Sequence, residues 1–185
     1  VELLNNRSLR VNFVIWTTLA VIFGTAMTTT NSVWAANIDC PNVPNTNNCI
    51  GTNNDDRMAG TANDDSMSGL RGDDTMFGFA NNDGMDGGSG NDRMSGGSGR
   101  DTIIGGDGDD NINGDSGDDK VIGDRGADIL KGSSGNDQIF QGEGLITPDG
   151  SKDTIECGSG NDVAWINVSQ DGDTADSDCE TVNAS

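Results

Sequence analysis

Aspartate returns at every ninth residue through the middle of this chain: Asp56, Asp65, Asp74, Asp83, Asp92, Asp101, Asp110, Asp119, Asp128 and Asp137. A short carboxylate is a hard oxygen ligand for a divalent cation, and a pair of carboxylates can also work as acid and base. The rest of the composition narrows that choice. Of 31 acidic residues 27 are Asp, set against 10 Lys and Arg in 185 residues, for a formal net charge of −21; His and Tyr are absent. Without histidine there is no Ser-His-Asp or Cys-His nucleophile and no His-based zinc site, and neither a GxSxG elbow nor a phosphate loop occurs. A polyanion repels phosphate, so nucleic acid is not an expected partner. The chain is expected not to be an enzyme, because rows of Asp are better explained by metal than by acid–base chemistry.

The aspartates occupy position six of a nine-residue unit that starts at Gly51 and holds its phase to Phe140. Position one is Gly in all ten units, from Gly51 to Gly132. Position eight is Met58, Met67, Met76, Met85, Met94, Ile103, Ile112, Val121, Leu130 and Ile139, and position four is Gly except at Asn54, Asn63 and Asn81. Gly and Asn tolerate left-handed backbone, so positions one and four are expected to turn with φ > 0. Positions seven to nine suit a short strand whose alternation sends position eight inward. Flexible Met suits an irregular interior, and the Met row reads as core filling. An acidic, Gly-rich run on its own suggests a disordered linker, but a phased apolar row argues against one.

Gly87-Gly88-Ser89-Gly90-Asn91-Asp92-Arg93-Met94-Ser95 resembles the GGxGxDxUx nonapeptide of the repeats-in-toxin (RTX) family, and the units beginning at Gly96 and Gly105 match as fully. The resemblance implies an all-β fold, a right-handed parallel β-roll: a solenoid of 18-residue coils, two nonapeptides to a coil, with calcium between successive coils. It also implies that each ion is held by turn carbonyls and by position-six aspartates two units apart. One edge would carry Asp56, Asp74, Asp92, Asp110 and Asp128, the other Asp65, Asp83, Asp101, Asp119 and Asp137. The most complete site is expected between the turns 87–92 and 105–110, on Asp92 and Asp110. The early units depart from the pattern at position two, where Thr52, Thr61, Leu70 and Phe79 stand in place of Gly.

Stacked aspartates about 4.8 Å apart repel by about 0.9 kcal/mol per pair even in water, so the roll is expected to need a counter-ion. Carbonyls and carboxylates form a flexible oxygen cage that favours several Ca2+ ions over Mg2+, and the array lacks the His and Cys that zinc or copper would want. Binding free energy then becomes folding free energy.

Around the array, residues 1–35 read as a secretory signal peptide: Arg7 and Arg10, an apolar stretch from Val11 to Met27, and Val33-Trp34-Ala35 before the expected cleavage point. Interruption of the stretch by Asn12, Thr17, Thr18 and Thr25 argues against a membrane anchor. The expected organisation continues with an N-terminal cap at 36–50, ten repeats at 51–140, an inserted loop at 141–147, one further coil at 148–165 with Asp153 and Asp162 at position six, and a C-terminal cap at 166–185. A secreted or cell-surface protein meets oxidising conditions, so Cys40, Cys49, Cys157 and Cys179 are expected to pair. Three connectivities are possible; Cys40–Cys49 and Cys157–Cys179 are favoured because the long array separates the two pairs. Asp171, Asp173, Asp176 and Asp178 read as solvated loop acids, with an extension of calcium binding as the alternative. The function expected is a calcium-binding structural roll, with a surface that binds a protein or glycan partner as the alternative, and no stable membrane insertion once the leader is removed.

Overall fold

The computed structural model describes residues 37–40, 48–142, 150–166 and 172–184. The leader expected at 1–35 and most of the loop expected at 141–147 lie outside them. Along the described chain run β1 (Asn37–Asp39), β2 (Asn48–Ile50), β3 (Arg57–Ala59), β4 (Ser66–Arg71), β5 (Thr75–Ala80), β6 (Gly84–Ser89), β7 (Arg93–Ser98) and β8 (Thr102–Asp107). They are followed by β9 (Asn111–Ser116), β10 (Lys120–Arg125), β11 (Ile129–Ser134), β12 (Gln138–Phe140), β13 (Thr154–Ser159), β14 (Val163–Ile166), β15 (Thr174–Ala175) and β16 (Thr181–Ala184). Odd-numbered strands form one parallel sheet and even-numbered strands the other, so the chain alternates between them and advances one layer for every two strands. This is the parallel β-solenoid of 18-residue coils that the nonapeptide implies.

Register follows the period. Met58 lies beside Met76, Met76 beside Met94, Met94 beside Ile112 and Ile112 beside Leu130. In the other sheet Met67, Met85, Ile103, Val121 and Ile139 form the matching row. All ten side chains are between 0 and 2 % exposed. A one-residue slip would turn either row to solvent, so burial of position eight pins the pairing. The rows extend past the repeats at both ends. Ile38 and Cys49 lie beside Met58 and Met67, and Ile155 and Ala164 beside Leu130 and Ile139. The disulfides are Cys40–Cys49 and Cys157–Cys179, the locally paired connectivity. Gln141 takes a position-one place: its carbonyl accepts the Asp124 amide at 2.7 Å.

Two local expectations change. From β4 to β11 the strands hold six residues, positions seven to nine and then one to three of the next unit. Left-handed backbone falls at positions two and four, not at one and four. At position two it is seen in Leu70 (φ 80°), Phe79 (φ 81°) and Gly88 (φ 104°), and at position four in Gly72 (φ 112°), Asn81 (φ 71°) and Gly90 (φ 135°). None of the ten position-one glycines is left-handed. Those glycines answer to space instead. A Cβ on Gly87 would stand 2.3 Å from Oδ2 of Asp92 and 2.7 Å from the carbonyl oxygen of Gly105, so no side chain fits there.

Candidate metal centre

The position-six aspartates are buried: Asp56, Asp65, Asp74, Asp83, Asp92, Asp101, Asp110, Asp119, Asp128, Asp137, Asp153 and Asp162 are all between 0 and 5 % exposed. They stand in two columns, one at each edge of the solenoid. In the first, the amide of Asp56 donates to Oδ1 of Asp74, Asp74 to Asp92, Asp92 to Asp110, Asp110 to Asp128 and Asp128 to Asp153, at 2.7–2.8 Å. In the second, Asp65 donates to Asp83, Asp83 to Asp101, Asp101 to Asp119, Asp119 to Asp137 and Asp137 to Asp162, again at 2.7–2.8 Å. Each carboxylate therefore reaches back to the turn of the preceding coil. Asp suits this place because its short arm ends one hydrogen bond from the neighbouring amide.

One carboxylate oxygen is thus engaged. The other, Oδ2, is buried with no hydrogen-bond partner in Asp74, Asp83, Asp92, Asp101, Asp110, Asp119, Asp137 and Asp162. Burying an ionised oxygen without a partner is costly, and each site is left needing a cation or a proton. The pKa values follow. Burial pushes Asp83, Asp92, Asp110 and Asp119 up to about 7, against the pull of one backbone hydrogen bond each. Asp74 and Asp137 rise to about 6 by the same cause, and Asp101 and Asp162 are also raised. Neighbouring aspartates add to the shift, as Asp110 and Asp74 do at Asp92. A divalent oxygen-seeking cation fits this donor set and would remove both the orphaned oxygens and the repulsion.

Among the described residues, only Cys157, Asp178 and Cys179 bring three ligand-type side chains within 4.8 Å of one another. Those two cysteines are joined as a disulfide and offer no thiolate. Along the columns no three carboxylates converge, so a cation there would use carboxylates of neighbouring coils and complete its shell with turn carbonyls.

Sequence reasoning missed three features. The first is a second ladder at position five, where side-chain oxygens of Asp55, Asp64, Asp73, Asn82, Asn91, Asp109 and Asp118 accept the amide of the residue 18 positions later. It runs opposite to the position-six ladder, so each turn is tied to both neighbours. The signal was present, since position five is Asp or Asn in eight of the ten units. Where Arg100 stands instead, it pairs with Asp118 at 3.3 Å. The second is Asp173, read as a solvated acid but only 4 % exposed, whose Oδ1 accepts the Asp153 amide at 2.9 Å. Its spacing of 20 residues from Asp153 hid it from a count in eighteens. The third is Glu180, whose Oε2 accepts the Asp162 amide at 2.6 Å and ends the second column.

A family model for the RTX calcium-binding nonapeptide repeat matches residues 50–85, 86–121 and 113–144, just over half of the chain. The chain belongs to that family. No curated protein matches it. The RTX nonapeptide is a calcium-binding motif, so the cation suited to the aspartate columns is calcium, and the fold that carries them is that of a calcium-binding structural protein. The matched residues hold the ten phased repeats; Asp153, Asp162, Asp173 and Glu180 of the RTX roll lie beyond them.

Proposed function

We propose that this RTX roll is a secreted structural protein that orders when calcium enters between its coils, with position-six aspartates as ligands. The observation that carries the reading is the row of buried Oδ2 atoms with no hydrogen-bond donor. The ligands would be Asp74, Asp83, Asp92, Asp101, Asp110, Asp119, Asp128, Asp137, Asp153 and Asp162, joined by turn carbonyls; Asp56 and Asp65 share their place in the sequence pattern, but Oδ2 of each already accepts an amide. When bound, calcium supplies charge neutralisation and a cross-link between layers. The chain supplies the rest: two hydrogen-bond ladders that hold turns in register, a bare glycine at position one, and a thin apolar row that cannot fix the fold alone.

Extracellular calcium sites work in the range of about 10⁻⁴–10⁻³ M, which suits export of an unfolded chain and folding outside. The basic start and apolar stretch of residues 1–35 support a secretory leader, and two disulfides support an oxidising destination. No helix among the described residues is long and apolar enough to cross a membrane. The proposed organisation keeps a leader at 1–35, a capped roll and a disulfide-closed end. The test is circular dichroism of the purified protein in chelator and then in millimolar calcium. A gain of β-signal with calcium is expected, and identical spectra would refute the proposal.

A second reading, a surface that binds a protein or glycan, draws on one exposed cluster. Phe77 and Phe79 stack with ring centroids 6.2 Å apart, Arg57 lies 4.8 Å over the Phe77 ring, and Phe79 is 54 % exposed. Phe79 also holds φ 81°, a conformation that costs a non-glycine residue. Binding of glycans or envelope proteins that is lost in Phe79→Ala would support it.

A further inference from the structure

We infer that the calcium ladder stops short of the first repeats: Asp56 and Asp65 are closed by the protein's own Thr52 and Thr61 and take no ion. The inference rests on the calcium reading above for the carboxylates that follow.

The two ends of the same pattern differ in what meets the second carboxylate oxygen. At Asp56, Oδ2 accepts the Thr52 amide at 2.6 Å and Oδ1 accepts the Thr52 hydroxyl at 3.2 Å. At Asp65, Oδ2 accepts the Thr61 amide at 2.6 Å and the Thr61 hydroxyl at 3.0 Å. One coil later, Oδ2 of Asp74 and of Asp83 meets no donor at all. Threonine also organises the turn around itself. Its Oγ1 accepts the amide of Asn54 at 3.2 Å in the first repeat and that of Asn63 at 3.1 Å in the second.

The backbone shows why the amide is free to turn inward. Strands β2 and β3 stop at position nine, whereas β4 to β11 run on through position three. In the longer strands the position-two amide serves the sheet, as Asp124 does in donating to the Gln141 carbonyl. In the first two repeats that amide is turned to the carboxylate of its own unit. Asn54 and Asn63 at position four are not left-handed, whereas Asn81 is. The carboxylate also sits differently. A Cβ on Gly51 or Gly60 would lie 2.9 Å from Oδ2, against 2.2–2.6 Å at the position-one glycines from Gly69 to Gly132.

A carboxylate holding an amide and a hydroxyl has little to gain from a cation, which would have to displace the amide to reach Oδ2. The first coil, with its Cys40–Cys49 disulfide, is then a calcium-independent end on which ion-bound layers stack. Thr at position two is the feature that decides between the two states.

The test is calorimetric titration of calcium into the full-length protein, with wild type beside Asp56→Asn/Asp65→Asn and Asp74→Asn/Asp83→Asn. The Asp56→Asn/Asp65→Asn protein is expected to bind as many ions as wild type, and the Asp74→Asn/Asp83→Asn protein fewer. An equal loss of ions in Asp56→Asn/Asp65→Asn overturns the inference. Absence of binding by the wild type would refute the calcium reading itself, a separate result. Because a variant can unfold, a crystal structure of the unmutated protein grown in calcium gives a second readout. Ions at about 2.3–2.6 Å from Asp74 and Asp83 with none on Asp56 or Asp65 are expected, and an ion on either overturns the inference.

Discussion

The amide of Asp92 donates to Oδ1 of Asp110 at 2.7 Å, while Oδ2 of the same Asp110 side chain is buried without a donor. One oxygen of this carboxylate is therefore held in the ladder and the other is buried without compensation. The two roles separate in mutagenesis. Asn keeps the acceptor for Asp92 and removes the charge. Asp110→Asn is expected to stabilise the calcium-free roll at pH 7, by roughly 1–3 kcal/mol if a buried unsatisfied charge is removed. In saturating calcium the same change should lower stability and the number of bound ions. Thermal melts in chelator and in calcium check both signs; a loss in chelator would show that the charge is not the strained element.

The raised carboxylates make the calcium-free roll sensitive to pH in a fixed direction. Asp83, Asp92, Asp110 and Asp119 stand at about 7, and Asp74 and Asp137 at about 6, against 3.8 for an ordinary Asp. Between those values the folded state binds more protons than the unfolded chain, so stability must fall as pH rises. The contribution is complete below the unfolded value near 3.8 and is lost as pH passes through 6 and 7. In chelator, the melting temperature is expected to decrease steadily from pH 5 to pH 8. Calcium should reverse the trend, because protons compete with it for the same oxygens. A melting temperature in chelator that rises over this range would contradict the assignment of these carboxylates as buried and uncompensated.

Position one offers a steric test. Gly87→Ala would place a methyl group 2.3 Å from Oδ2 of Asp92 and 2.7 Å from the Gly105 carbonyl, with no compensating change in φ. Overpacking of this kind costs about 1–3 kcal/mol. Gly84→Ala is the control, since its nearest neighbour would be the Asp65 carbonyl at 4.0 Å. The control is expected to be neutral or slightly stabilising. Denaturant midpoints in calcium compare the pair, and equal midpoints would dismiss the steric account of the tenfold glycine.

Much of this architecture was legible because a solenoid repeats each of its decisions. Ten phased hydrophobic residues give the inward row, and ten phased Asp give the columns. The ambiguities lay where one residue type serves two ends. Gly at position one looked like a turn residue because Gly is the usual left-handed residue, but its task is to be small. The Asp or Asn bias at position five names no partner by itself, and only the backbone shows that Asp73 accepts the Asn91 amide at 2.8 Å. Asp173 escaped because its coil is two residues longer than the period, so phase counting could not connect it with Asp153. Thr52 and Thr61 were visible as departures from Gly, but their bonds to Asp56 and Asp65 depend on strands that end early.

Left-handed strain at position two is a further lever. Leu70 (φ 80°) and Phe79 (φ 81°) adopt a conformation that Gly88, Gly97 and Gly106 hold at φ 104–114° without a Cβ. Leu70 is 42 % exposed and Phe79 54 %, so their side chains return little burial. Left-handed backbone costs a non-glycine residue roughly 1–2 kcal/mol. Leu70→Gly and Phe79→Gly are each expected to stabilise the roll by about 1 kcal/mol in calcium, read from denaturant unfolding. If Phe79→Gly is more stable and yet loses a binding partner, the side chain is kept for contact and not for folding.

The C-terminal closure gives the last prediction. Cys157 sits at position one with 0 % exposure, and its partner Cys179 packs against the same core. The bond closes a span of 22 residues that contains Asp162 and Asp173. In the chain-entropy model a loop of this size contributes roughly 3 kcal/mol, all of it through the unfolded chain. Cys157→Ala/Cys179→Ala should therefore lower stability by a similar amount with and without calcium, leaving the final coils weakest in chelator. Calcium should restore part of it, since ion binding to the folded state acts by mass action whatever the unfolded chain is doing. Hydrogen exchange locates the effect: amides of β13 and β14 should exchange faster in the variant without calcium and recover protection with it, while those of β5 to β8 stay unchanged. Equal acceleration along the whole roll would mean that the coils open together and that the closing bond guards more than its own end.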